Sequence, residues 1–148
     1  MLTNTLRKLF RRDLGKLKQE LELYSNEANI WLIDKNILNS AGNLSLHLIG
    51  NLNTYIGAEF GKTGYIRNRP EEFSLKNVPR QEILDNIDST IEIVDAALSI
   101  LTEDQLASDY PQVINDETIT TEYFLTHLAM HLSYHLGQVN YHRRLLDS

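Results

Sequence analysis

The chain has 148 residues, with 14 basic against 20 acidic side chains and a formal net charge of −6 with histidine neutral. That length suits one soluble domain with a core of its own, and the acidic balance disfavours a nucleic-acid partner, with Arg7, Lys8, Arg11 and Arg12 the one compact basic cluster. The lack of cysteine excludes disulfides, thiolate metal ligands and a cysteine nucleophile; no apolar run approaches the ~18–20 residues of a membrane span, and a soluble, unprocessed, cytoplasmic protein is expected.

Hydrophobic spacing predicts a first helix from about Thr5 to Asn26, with Leu6, Phe10, Leu14, Leu17 and Leu21 on its inner face. The apolar stretch from Glu27 to Leu38 either extends that helix or forms a separate turn. Ser40 to Asn43 breaks the pattern and caps a second helix running to about Phe60, with Leu44, Leu48, Leu52 and Ile56 buried. Residues 61–79 hold Gly61, Gly64, Pro70 and Pro79 and read as an irregular crossover. A third helix begins near Pro79, where proline suits the first helical position, and reaches about Thr102. After a loop around Pro111, a fourth helix runs from Thr121 to Leu146.

Val113 to Thr121 alternates weakly but has no partner segment, so no strand is expected. Four helices predict an all-α four-helix bundle. The crossover between helices two and three is too long for a plain hairpin and can return the chain so that the third runs parallel to the second.

Four of the five histidines lie between His127 and His142, on the fourth helix. At about 100° per residue, His127, His131, His135, Gln138 and His142 share one sector roughly 80° wide, beside the buried leucines. All are therefore expected to border the inward face. Histidines at i and i+4 can present both imidazoles to one ion. The remaining histidine, His47, lies mid-way along helix two, with Asn51 and Tyr55 on the same face. One histidine from helix two and a pair from helix four would give a three-nitrogen site with an open position, as in catalytic zinc centres. Nickel or iron would also accept it.

The strings Asn43-Leu-Ser-Leu-His47-Leu and His127-x-x-x-His131-x-x-Tyr134-His135-x-Gly137-Gln138 resemble the DinB-like (DinB/YfiT) superfamily over essentially the whole chain. The resemblance implies a single DinB-like four-helix-bundle domain over residues 1–148, a homodimer, and a divalent metal held by His47, His131 and His135. Nickel and zinc are the ions it implies first, with iron and manganese as further options. The better understood relatives are transferases or isomerases that use a low-molecular-weight thiol, which implies a small thiol co-substrate acting on a small electrophile. Two positions depart from the family pattern. Leu136 stands where many relatives have arginine, and His127 is an extra histidine that leaves 127/131 as an alternative pair.

No catalytic residue is assigned. Gln138, Asn51 and Tyr55 are the candidates to support the ligands, Gln138 by bonding a ligand histidine, a bound water or the backbone of helix two. Tyr134 is expected in packing or at the pocket rim, and His142 at the helix end or lining the pocket. Gly137 is expected at a close helix contact, and Trp31 in the core or at a dimer contact. Two other functions compete with the transferase: a non-catalytic metal-binding or interaction bundle, and a metal-dependent hydrolase. The hydrolase needs a carboxylate beside the metal, and none lies within the histidine sector of helix four.

Overall fold

A computed structural model describes residues 1–147; Ser148, the last residue of the expected domain, lies outside the described residues. Leu2–Glu22 forms α1, and Ala41–Leu52 forms α2, which continues through a π-helical stretch, Asn53–Ala58, into a last turn at Glu59–Gly61. The short α3 spans Arg69–Ser74, α4 spans Arg80–Ser99, α5 spans Glu103–Ala107, and α6 spans Thr121–Leu146. The described residues contain no strand, only isolated bridges pairing Asp109 with Thr120 and Ile114 with Glu117. The weak alternation near Val113 is this turn. Among the described residues no helix is long and apolar enough to cross a membrane.

The long helices stand close to their expected places, and their ends follow local chemistry. Ser40 caps α2, its Oγ accepting the Asn43 N–H at 3.1 Å. Thr120 Oγ1 caps α6 through the Tyr123 N–H at 3.2 Å. Helix α1 stops four residues short of Asn26, because Asn26 instead caps a 3₁₀ turn at Glu27–Trp31, accepting the Ala28 N–H. The stretch after α1 is thus a separate turn. The crossover is less irregular than expected. Asn68 caps α3, with Pro70 in its first turn, and a capping box between Thr102 and Gln105 starts α5.

Helix α1 packs against α4 and α6, and α2 packs against α3, α4 and α6. Phe10, Leu14 and Leu17 of α1 meet a core that includes Leu48, Leu52, Ile83, Ile87, Leu125 and Leu132. Burying each such side chain contributes roughly 1.5–3 kcal/mol. Trp31 is in the core, its ring against Gly42, where a Cβ would come within 2.6 Å of it.

The basic cluster on α1 is largely spent on neighbouring carboxylates. Arg7 makes a two-pronged pair with Asp95 at 2.9 and 3.0 Å, Arg11 reaches Glu92, and Arg12 reaches Asp13.

Candidate metal centre

Helices α2 and α6 face each other across the site. His47 is buried mid-way along α2, while His131 and His135 are half-buried one turn apart on α6, held there by Leu128, Leu132 and Val139 beneath them. The Nε2 of His131 lies 3.2 Å from that of His47 and 3.1 Å from that of His135. One ligand atom from each of the three histidines lies within 4.8 Å of the others.

Hydrogen bonding on the far side of the rings sets which nitrogens carry lone pairs. His47 Nδ1 lies 3.0 Å from Glu72 Oε1. A carboxylate only accepts, so Nδ1–H donates and Nε2 presents its lone pair inward. His135 Nδ1 donates in the same way to Gln138 Oε1 at 2.6 Å. The Nε2 of His131 thus stands between two lone pairs and has one hydrogen to give at most. Its Nδ1 is buried with no hydrogen-bond partner among the described residues. A cation resolves the clash of inward lone pairs, leaving the His131 Nδ1–H as the one far-side nitrogen without an acceptor.

Burial lowers the His47 pKa against the pull of Glu72. Burial, with the neighbouring His135 and His47, pushes His131 down to about 4. Both rings are therefore neutral at pH 7, the form in which imidazole binds a metal.

Behind His47 lies a charged relay outside the sequence reading. Arg67 grips Glu72 with two hydrogen bonds, Nε to Oε2 at 2.8 Å and Nη2 to Oε1 at 2.9 Å. Both side chains are largely buried, at 13% and 7% exposure. Asn43 holds the segment that carries them: its Nδ2 donates to the backbone oxygens of Glu72 and Leu75, both at 2.9 Å. Gly50 leaves the room, because a Cβ there would come within 2.7 Å of the Glu72 Cδ. The signal that could have found the relay is Asn68-Arg69-Pro70-Glu71-Glu72, a cap, a proline and paired acids at the start of α3. Which acid meets His47 is a matter of tertiary packing.

The other candidates separate. Gln138 supports His135, as one of its readings held. Asn51 is buried on the His47 face, its Oδ1 without a partner among the described residues. Tyr55 packs edge-on against Phe124, centroids 5.1 Å apart, with the Arg67 guanidinium 5.8 Å over its ring. It touches the relay rather than the histidines.

Two expectations need correction. His127 is exposed and does not join the cluster; its ring stacks on Phe124 at 6.1 Å and on His131 at 6.3 Å. The sector estimate placed it at the border of the inward face, and the core lies on the far edge of that sector. Gly137 permits no close helix contact, since a Cβ there would meet nothing within 4 Å. Among the described residues a carboxylate does stand by the cluster, Glu72, but it bonds the outer nitrogen of His47.

Fold and site together define an all-helical protein in which two facing helices bring three histidines within reach of one cation. The chain belongs to the DUF1572 family, a family of proteins of unknown function, whose model matches residues 2–148. Among solved structures it is similar to a conserved protein from Enterococcus faecalis, at 20% identity and a TM-score of 0.74, covering 99% of this chain and 97% of that one. At that identity the likeness speaks for the fold alone. No curated protein matches the chain.

Proposed function

We propose that this is a DinB-like metalloenzyme, a single four-helix-bundle domain whose His47, His131 and His135 hold one divalent ion, nickel or zinc, with a coordination position open. The observation that carries this reading is the convergence of three histidines, two of which, His47 and His135, have their inward lone pairs set by bonds to Glu72 and Gln138. Ligand histidines with such outer partners are the usual arrangement at metal sites.

The charges favour an anionic guest. The imidazoles are neutral and the Arg67–Glu72 pair cancels, so a dication here keeps its charge. At its open position such an ion lowers the pKa of a thiol or water, giving a nucleophile at neutral pH. The chain has no cysteine, so the thiol would be a small co-substrate, transferred to a small electrophile. Glu72 and Arg67 orient His47 and fix its tautomer, and Gln138 does the same for His135. Hydrolysis is less favoured, because both Glu72 oxygens are engaged and stand behind His47, away from the open position.

Elemental analysis of protein purified under metal-replete conditions, beside His47→Ala, tests the metal. One ion per chain in the parent and a large loss in the variant are expected. Parent protein without stoichiometric nickel, zinc, iron or manganese would end the proposal. Turnover of a reporter electrophile with a low-molecular-weight thiol then tests the reaction.

A further inference from the structure

We propose that the cavity beside His135 binds an uncharged, largely apolar small molecule; its role as the substrate seat rests on the metal reading above. The cavity has a volume of about 560 Å³, within the span of small-molecule sites. It lies between residues 36–39, the start of α2 and the second half of α6. His135 is the one member of the histidine cluster in its wall, so an occupant would lie next to the proposed ion.

The wall chemistry selects the occupant. Ile37, Leu38, Leu44 and Leu145 supply aliphatic surface, and Tyr134 and Tyr141 add aromatic rings. The amides of Asn36, Asn39 and Gln138 supply polar groups without charge. His142 also lines the cavity, but its nitrogens are spent inside the fold, Nε2 on the Leu32 carbonyl at 2.9 Å and Nδ1 on the Tyr24 hydroxyl at 2.6 Å. It offers ring surface alone.

Among the described residues lining it, none is Lys, Arg, Asp or Glu, in a chain where 23% of residues are charged. A charged guest would lose hydration there and gain no counter-ion from the wall. Gln138 gives its Oε1 to His135, leaving its amino group to donate to a carbonyl or similar acceptor. The charges near the site, Arg67 and Glu72, lie on the His47 side and bind each other. The surroundings of the proposed ion are therefore two-sided: a neutral ion pair behind His47 and an uncharged cavity beside His135.

Three probes with one aromatic body test this: naphthamide, naphthoate and naphthylmethylammonium, titrated calorimetrically into zinc-loaded and chelator-treated protein. In the chelator-treated protein the amide should bind at least about tenfold tighter than either ion. Leu145→Lys, which places a cation in the wall at an exposed position, should weaken the amide about fivefold or more. Met130→Lys, in the shallow hollow on the other side of Tyr134, should leave it unchanged.

Equal binding of the three probes, binding of none, or weakening by Met130→Lys in place of Leu145→Lys would overturn the proposal. A protein that binds the amide but no zinc keeps the cavity and loses the metal. One that binds zinc stoichiometrically but not the amide does the reverse.

Discussion

Replacing Gly50 by alanine sets two effects of known size against each other. Within a helix the change should stabilise by up to about 1 kcal/mol, because glycine loses more backbone freedom on folding. At this position, however, the new methyl group would occupy the space of the Glu72 carboxylate, whose Cδ lies 2.7 Å from an ideal Cβ. A free glutamate would swing aside at little cost. Glu72 is held by His47 at 3.0 Å and by Arg67 at 2.8 and 2.9 Å in a largely buried pocket, and moving it gives up those bonds.

Separating a buried ion pair costs about 3–5 kcal/mol, so Gly50→Ala should destabilise by about 2–4 kcal/mol after the helix gain. With the outer partner of His47 displaced, zinc affinity should fall roughly 10–100-fold. Gly137→Ala is the control. A Cβ there meets nothing within 4 Å, so only the helix term remains, and a gain of about 0.5–1 kcal/mol is expected. Urea melts of metal-free protein and zinc titrations against a chelator read both quantities. A Gly50→Ala protein as stable as the parent, with unchanged zinc affinity, would refute the role given to Glu72.

Asn43→Ala removes the two bonds from α2 to the backbone of the Glu72 segment; it should cost about 1–3 kcal/mol in urea melts and weaken zinc binding in the same titration. Tyr24→Phe leaves His142 Nδ1 without its donor; a loss of about 1–2 kcal/mol with zinc affinity unchanged would separate this buried pair from the metal site. Asp147 accepts the N–H groups of Ser25 and Asn26 and the amide of Asn29, and the Ser25 bond foremost holds its pKa below the usual carboxylate value. Its contribution is present above about pH 4 and is lost as pH falls through the lowered value, so the Tm gap between the parent and Asp147→Asn should close on acidification.

The helices were legible because three-and-four spacing is local, and His131 and His135 because a pair one turn apart must share a face. His47 was legible only as a histidine on a buried face of another helix. Where sequence reading failed, the deciding contact was distant along the chain. His127 has the same spacing from His131 as His135 does, but the chain also places Phe124 beneath it, and it stacks there at the surface. Glu72 and Arg67 lie in a crossover with weak periodicity, and only docking on α2 turns one of two adjacent acids toward His47. Gly137 sits in a helix interior like Gly50, and no pattern in the residues shows that one faces open space and the other a carboxylate.

The docking itself is encoded in α2 more compactly than ligand spacing alone implies. Asn43, His47 and Gly50 are four and three residues apart, so they share one face of the helix over two turns. Asn43 binds the backbone at both Glu72 and Leu75, setting how far along α2 the crossover lies. His47 takes the carboxylate that this places there, and Gly50 leaves the space its far oxygen needs. They act together: Asn43 places the crossover backbone, Gly50 leaves room for the carboxylate, and Glu72 fixes the inward lone pair of His47. The asparagine and glycine flanking His47 are thus as much part of the candidate site as the two histidines on α6, and they reach it through the crossover.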